Sequence, residues 1–179
     1  MIVAVGGLSG SGKTFTALKL REHFNCYYFS SDKIRKELAN ISLTQKVFDS
    51  FGKGLYSPSF TKKTYEELLR KAKFLSEKGN IVIIDATFSS LEFQKMLIKC
   101  GEPYLFIFCY ANDEVIKERL NSRLKDENEI SDGRWEIYEK QKKFFKGFLI
   151  PENRMLKINT ENDDYLVKII KFVEKKLHE

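Results

Sequence analysis

The stretch that most constrains the fold of this chain is GGLSGSGKT, residues 6–14, which places four glycines directly behind the apolar segment IVAV. Glycine increases the entropy of the unfolded backbone and buries almost no apolar surface, so such a run does not build a core. The next segment, KTFTALKLREHF, has the apolar spacing of a helix. A strand, a bare loop and a helix in this order indicate that the backbone of the loop binds a ligand.

The loop has the pattern Gly-x-x-x-x-Gly-Lys-Thr from Gly7 to Thr14, which is typical of a phosphate-binding loop between a strand and a helix. Its N–H groups can surround a di- or triphosphate, and the helix adds its positive end. Lys13 then acts on the β- and γ-phosphates, and the Thr14 hydroxyl binds Mg²⁺. A flexible turn without a ligand is the alternative. The sequence therefore predicts ATP and Mg²⁺ as cofactors, with the nucleotide bound by Ser9, Gly10, Ser11, Gly12, Lys13 and Thr14.

The composition is that of an ordinary globular protein. The 179 residues, 31% of them charged, favour a single domain over 1–179, with no secretory signal before the first strand. The longest apolar run, YLFIFCYA, is too short to cross a bilayer, so we expect a cytoplasmic protein without membrane contact. The net charge of +6 mildly favours an anionic partner, although ATP alone would satisfy it. Cys26, Cys100 and Cys109 are interpreted as free thiols.

Strand and helix signals alternate along the whole chain. Strands are predicted at 2–5, 27–29, 81–85, 104–110 and 155–159, and helices at about 13–24, 32–39, 61–78, 90–99, 113–124, 131–146 and 163–177. Strands this apolar, separated by helices, predict an α/β fold with a parallel sheet covered on both faces. Such sheets bind ligands at the carboxyl ends of their strands, so the residues at those ends are the candidates for a site.

Two strand ends carry acidic residues. After the second strand, SSDKIRKEL places Asp32 and Arg35 on one side of a first helical turn, where Asp32 can accept a hydroxyl proton and Arg35 can hold the acceptor. A helix cap with an exposed arginine is the alternative. After the third strand, IVIIDATF places Asp85 where it can act on the Mg²⁺ of Thr14, with Thr87 near the same cleft. A turn-forming aspartate is the alternative there.

The last two strand ends supply arginines and polar groups. Arg119 and Arg123 lie at i and i+4 in DEVIKERLNSRL, before a polar segment, which favours a lid over about 119–135 that closes on the transferring phosphoryl group. Arg134 is a weaker candidate, and a solvated cationic helix end is the alternative. In KINTEND, Asn159 and Thr160 are predicted to approach the adenine base.

Together, the segments GGLSGSGKT, SSDKIRKEL, LYSPSFTKKTYEELLRKAKFLSEKGNIVIIDATF, RLNSR and SDGRWEIYEKQ resemble the small predicted kinases of the P-loop class. That family groups with zeta toxins, gluconate and chloramphenicol kinases and phage polynucleotide kinase. The middle block resembles the kinase domain often fused behind an aminoglycoside-phosphotransferase-like domain. The resemblance covers about residues 2–177 and implies a nucleoside-monophosphate-kinase-like sheet of order 2-3-1-4-5. It also implies Asp32 as general base, Arg35 on the acceptor, Asp85 near the metal, and Arg119 and Arg123 as lid arginines.

The prediction is therefore an ATP- and Mg²⁺-dependent kinase that phosphorylates a hydroxyl. A polynucleotide or nucleotide 5′-hydroxyl is ranked slightly first, because Arg35 can fork onto a phosphate beside the reactive group. The segment 41–60 is the expected acceptor site. Its aromatic side chains can stack on a base, with a local core as the more usual alternative: Phe48, Phe51, Tyr56 and Phe60. A sugar, UDP-sugar or antibiotic is the alternative acceptor. A nucleotide-switch ATPase is a third hypothesis, against which the chain has no evident surface for an obligate protein partner.

Overall fold

The structure is a computed structural model that describes residues 1–47, 49, 52–123 and 130–179. Five strands, β1 to β5, occupy Ile2–Gly6, Tyr27–Ser30, Val82–Asp85, Tyr104–Tyr110 and Met155–Asn159. Seven α-helices, α1 to α7, occupy Lys13–Phe24, Ser31–Leu38, Pro58–Ser76, Leu91–Ile98, Asp113–Arg123, Trp135–Phe144 and Tyr165–Leu177 in the described part of the chain. Short 3₁₀ turns lie at Gly54–Tyr56 and Glu152–Arg154.

The five strands form one parallel sheet of order β2-β3-β1-β4-β5, which confirms the predicted fold. All residues of β1 and β3 are buried, as expected for strands covered on both faces. The register pairs Asp85 with Val5 on one side and with Ser30 on the other. Because the loop follows β1 and α2 follows β2, this register brings the loop, Asp85 and the start of α2 to one edge of the sheet.

Alternate residues of each strand face the two helical layers. On one face, Ile2 and Ala4 pack in a core with Leu68 of α3 and Leu97 of α4. On the other face lies a second core, which contains Val3 and Val5 of β1 together with Ala17, Leu20, Ile169 and Val173 of α1 and α7. Each buried leucine contributes on the order of 1.5–3 kcal/mol of hydrophobic stabilisation, so the two cores hold the sheet rigid under the loop.

Two helices begin three or more residues away from the predicted start. α3 begins at Pro58 instead of 61, because proline is well tolerated in the first turn, where its missing N–H is not needed. α6 covers 135–144 instead of 131–146, because Arg134 has an extended backbone with φ −142°. Part of the predicted lid, 124–129, and two of the predicted stacking aromatics, Phe48 and Phe51, lie outside the described residues. None of the described helices is long and apolar enough to cross a bilayer.

Candidate active site

The glycine-rich loop turns tightly between β1 and α1. Gly10 and Gly12 have φ values of 80° and 84°, in the left-handed region that glycine enters without steric strain. The Ser11 N–H donates to the Leu8 carbonyl at 3.1 Å, which closes the turn. α1 begins at Lys13, directly after Gly12, so its first N–H groups are available to an anion in the loop.

Thr160 and Arg119 support the loop from behind. The Thr160 hydroxyl donates to the Ser11 carbonyl at 2.9 Å and accepts from Arg119 Nη1 at 2.9 Å. Arg119 also reaches the Gly10 carbonyl at 3.4 Å and the Thr160 carbonyl at 3.3 Å. Asn159 Oδ1 accepts from the Glu161 N–H at 2.9 Å. Thr160 therefore has a defined role in shaping the loop, while adenine contacts by Asn159 and Thr160 stay a prediction.

Asp85 is a buried carboxylate beside the loop, with only 2% of its surface exposed. Burial raises its pKa above the ordinary aspartate value, and this rise is opposed by the ammonium of Lys13 and by hydrogen bonds from Thr14 and Tyr28. The Tyr28 hydroxyl donates to Oδ2 at 3.2 Å. Oδ1 has no hydrogen-bond partner within the described part of the chain. A buried carboxylate with one unpaired oxygen is prepared to bind a positive group.

The oxygens of Thr14 and Asp85 fit a magnesium ion. Mg²⁺ prefers oxygen ligands and usually takes one or two from protein, the rest from phosphates and water. The Thr14 hydroxyl lies within hydrogen-bonding reach of the Asp85 carboxylate, whose Oδ1 is unpaired among the described residues. No group of three or more His, Cys, Asp or Glu side chains able to hold a metal occurs in the described ranges. The metal role of Thr14 and Asp85 stays a prediction, and it would require the nucleotide phosphates as further ligands.

One cavity of about 520 Å³ joins the loop to the start of α2. Ser9, Lys13 and Asp85 line the loop side of this cavity. Asp32 and Arg35 line it as well, as does Thr87 behind β3. Asp32 and Arg35 thus lie on one cavity, while their roles toward an acceptor stay a prediction. A hydroxyl near Asp32 and a phosphate near Lys13 would share the same enclosed space.

Arg35 is held in place by the segment that precedes α3. Its Nη1 donates to the Leu55 carbonyl at 2.6 Å and to Thr61 Oγ1 at 3.2 Å. The guanidinium lies 4.6 Å from the ring centroid of Tyr56, which is a cation–π contact. Nε is buried, and it has no partner in the described ranges. The predicted acceptor segment does border the cavity, through Val47, Asp49, Gly52, Tyr56 and Pro58.

The two predicted lid arginines lie in different places. Arg119 contacts the loop, whereas Arg123 lines a small neighbouring pocket that shares Asp132 with the main cavity. Arg134 Nη2 donates to the Asp49 carbonyl at 3.2 Å, next to the acceptor segment. Action of Arg119 and Arg123 on the transferring phosphoryl group stays a prediction.

Three residues of the site were missed from the sequence. Gln141 of α6 accepts the Ser9 N–H through Oε1 at 2.8 Å and lines the cavity. Lys36 of α2 is 1% exposed and pairs with Asp132, which lines the cavity. These partners are 132 and 96 residues apart in the chain, so local spacing carried no signal for them.

The comparisons with known proteins agree with this fold. The family model of the AAA domain named AAA_33 matches residues 2–148. The chain belongs to this family of P-loop kinases. Uncharacterized proteins of Mycobacterium tuberculosis (Rv2004c) and Mycobacterium bovis (Mb2027c) are 26% identical to it over 126 residues. That alignment covers 68% of this chain and 25% of theirs, so the AAA_33 chain spans about a quarter of the length of these relatives.

Solved structures share the fold at low identity. A sugar kinase from Janibacter sp. superposes with a TM-score of 0.71 and 17% identity, over 97% of this chain and 94% of its own. Kti12 of Chaetomium thermophilum, solved with ADP-AlF3, gives a TM-score of 0.68 and 16% identity, over 96% of this chain and 98% of its own. Shikimate kinase of Aquifex aeolicus gives a TM-score of 0.61 and 18% identity, over 99% of this chain and 98% of its own. The finer resemblance to zeta toxins and polynucleotide kinases stays a prediction.

Proposed function

We propose that this chain is an ATP-dependent kinase that phosphorylates a hydroxyl of a small polar molecule. The observation that carries the proposal is the single cavity that joins Lys13 of the phosphate-binding loop to Asp32 and Arg35 at the start of α2. A nucleotide and a second substrate can therefore meet in one enclosed space. Proximity and orientation supply much of the rate in phosphoryl transfer, so this arrangement fits the chemistry.

The proposed reaction assigns one role to each group. The loop from Ser9 to Thr14 holds the phosphates, and Lys13 balances their charge. Mg²⁺, bound through Thr14 and Asp85, would supply charge neutralisation between the β- and γ-phosphates. Asp32 accepts the proton of the acceptor hydroxyl while the hydroxyl oxygen bonds to the γ-phosphorus. The bond from that phosphorus to the β,γ-bridging oxygen breaks, which leaves ADP and a phosphate monoester.

The surroundings of Arg35 favour a small acceptor over a polynucleotide. Its Nη1 already donates to Leu55 and Thr61, and its guanidinium lies 4.6 Å from the ring centroid of Tyr56. The guanidinium is thus part of the cavity wall, and it covers one face of the Tyr56 ring. Hydroxyl-bearing side chains line the same cavity and can bind a polyol: Thr61, Thr87, Ser89, Ser90 and Ser131.

Several proteins of similar structure act on acceptors of the same class. They include a sugar kinase from Janibacter sp., a gluconokinase from Sinorhizobium meliloti and shikimate kinase from Aquifex aeolicus. Their identity of 16–18% supports the fold, and the acceptor class is our extension from the lining of the cavity.

Transfer of γ-³²P from labelled ATP tests the proposal. The panel contains sugars, sugar acids, UDP-sugars, aminoglycosides, nucleosides and 5′-hydroxyl oligonucleotides, with Asp32→Asn as the inactive control. Label on a small polyhydroxy compound supports the proposal. Label on oligonucleotides alone would establish the polynucleotide alternative. Release of ADP and inorganic phosphate at one rate, whatever acceptor is added, would establish the nucleotide-switch ATPase.

A further inference from the structure

A buried charged side chain that pairs with a residue of the cavity wall has no place in the mechanism above. Lys36 follows Arg35 in α2, and only 1% of it is exposed. A lysine in a short helix as polar as SDKIRKEL is expected at the surface, since lysine is almost never fully buried unless it is paired. The burial of Lys36 therefore calls for partners, and the structure provides them.

The Lys36 ammonium joins three segments of the chain. Its Nζ donates to the carbonyls of Leu43 at 3.1 Å, Gln45 at 2.8 Å and Ile130 at 2.8 Å. It also lies 3.4 Å from Asp132 Oδ1, and the side chains of this ion pair are 1% and 4% exposed. The acceptor segment and the chain just before α6 are thus fastened to the helix that carries Asp32 and Arg35.

Asp132 accepts hydrogen bonds from two further groups. Oδ1 accepts the Val47 N–H at 3.1 Å, and Oδ2 accepts the Tyr56 hydroxyl at 2.8 Å. The Tyr56 ring in turn lies against Arg35. We call Lys36, Asp132, Val47 and Tyr56 the Lys36–Asp132 node. Asp132, Val47 and Tyr56 all line the cavity, so the node forms part of its wall.

We propose that Lys36 is a positioning residue that sets acceptor affinity. Its ammonium fixes Asp132 and Tyr56, and through them Arg35, at the acceptor end of the cavity. This inference rests on the proposed kinase function, since it names the part of that site that selects the second substrate. Lys36 acts through Asp132 and Tyr56 and does not itself line the cavity at which the reaction takes place.

A purely stabilising role does not account for a node of this kind. Replacing a buried ion pair by apolar residues of similar volume is often neutral or stabilising, so the pair is weak evidence for stability. What an apolar pair cannot do is hold three carbonyls, an N–H and a hydroxyl at fixed positions. The directional bonds of Lys36 and Asp132 define where the Tyr56 ring lies, and so where Arg35 lies.

The test compares Lys36→Met, Asp132→Asn, the double variant and Tyr56→Phe, with Lys63→Met on the exposed face of α3 as the matched control. The acceptor is the compound from the panel that the wild-type protein phosphorylates best. Lys36→Met is expected to raise the KM for that acceptor at least about tenfold and to leave the KM for ATP within about twofold. Tyr56→Phe, which removes one hydroxyl, should raise the acceptor KM by about three- to tenfold. Lys63→Met should change neither constant.

The double variant separates positioning from general damage. If Lys36 and Asp132 act as one unit, the double variant raises the acceptor KM no more than the worse single variant does. Equal changes in both KM values, or an unchanged acceptor KM in Tyr56→Phe and Asp132→Asn, would overturn the proposal. The two milder variants keep this test available if Lys36→Met does not fold.

A second readout needs no acceptor and so separates the two proposals. Trp135 is the only tryptophan of the chain and begins α6, three residues after Asp132. If no compound on the panel is labelled by the wild-type protein, the proposed function fails, and the node is then judged on Trp135 fluorescence. An altered emission maximum or quenching by acrylamide in Lys36→Met and Asp132→Asn supports the node. Wild-type fluorescence in both variants would refute it.

Discussion

The backbone N–H of Ser9 donates a 2.8 Å hydrogen bond to Oε1 of Gln141, so a side chain of α6 lies on the phosphate-binding loop. Gly133 lies against the same residue, since a Cβ there would come within 3.1 Å of Ser9 Oγ. The chain at Gly133, just before α6, therefore lies against the loop at Ser9. Loop N–H groups are the donors that hold phosphates in this class of site, and Gln141 occupies one of them with an uncharged oxygen.

Gln141→Leu is expected to tighten ATP binding. A net hydrogen bond is worth about 0.5–1.5 kcal/mol, so freeing the Ser9 N–H should lower the Kd by about two- to tenfold. Isothermal titration of the variant with ATP and Mg²⁺ measures this change. Gln45→Leu, at an exposed glutamine outside α6, serves as the control. Weaker binding would show that the Gln141 bond is kept in the nucleotide complex.

Asp85→Asn is expected to stabilise the nucleotide-free protein. Burial raises the pKa of Asp85, so the folded state binds its proton more tightly than the unfolded chain does. The unfolding free energy of the wild type therefore falls as pH rises from the ordinary aspartate pKa, about 3.9, through the raised value. Asparagine carries no charge to desolvate, while its carbonyl oxygen can still accept from Tyr28.

Thermal unfolding at two pH values measures this effect. The Tm of Asp85→Asn should exceed that of the wild type at pH above the raised pKa, and the difference should vanish at pH below the ordinary value. The same variant should lose Mg²⁺-dependent phosphoryl transfer. A lower Tm at every pH would mean that the Asp85 carboxylate is a net structural support.

Sequence patterns predicted the sheet and the three strand ends that form the site, because these depend on local apolar periodicity. The shared side of Asp32 and Arg35 followed from their spacing on one helical turn, whereas the strand order and the place of the acceptor segment followed from the resemblance to the small P-loop kinases. Lys36 was not recognised, because SDKIRKEL has the composition of an exposed helix and its partners lie up to 96 residues away. Thr160 was interpreted as an adenine contact, since sequence alone gave no sign that its hydroxyl bonds to Ser11.

Asp32→Asn is expected to slow phosphoryl transfer by about 10² to 10⁴, the usual contribution of a positioned general base. ATP affinity should stay near the wild-type value, because Asp32 lies at the start of α2 and not in the loop. Single-turnover transfer and equilibrium ATP binding measure the two effects separately. A large loss of Tm with intact turnover would make Asp32 a structural residue of the helix start.

Arg119→Ala is expected to weaken ATP binding as well as turnover. It removes the bonds to Gly10 and Thr160 that hold the loop from behind, and hydrogen bonds to charged groups are worth about 1.5–3 kcal/mol each. A loss of ATP affinity of about tenfold or more is therefore expected. Arg123→Ala is the comparison, because Arg123 lines the small neighbouring pocket. Similar losses of ATP affinity in both variants would contradict this distinction.

The salt dependence of the acceptor KM separates the two acceptor classes. A polynucleotide that places several phosphates on lysines and arginines releases counterions on binding, so its affinity falls by orders of magnitude between about 50 and 200 mM salt. An uncharged polyol releases none, and its KM should change by less than about twofold over the same range. Because Arg35 is already bonded to Leu55 and Thr61 and lies over the Tyr56 ring, we expect the small salt dependence of an uncharged polyol.

Arg35→Lys loses the guanidinium contact with Tyr56 and the paired geometry of its donors, so it should raise the KM of a polyol at both salt concentrations alike. A steep salt dependence that Arg35→Lys abolishes would instead place a phosphate of the acceptor on this arginine.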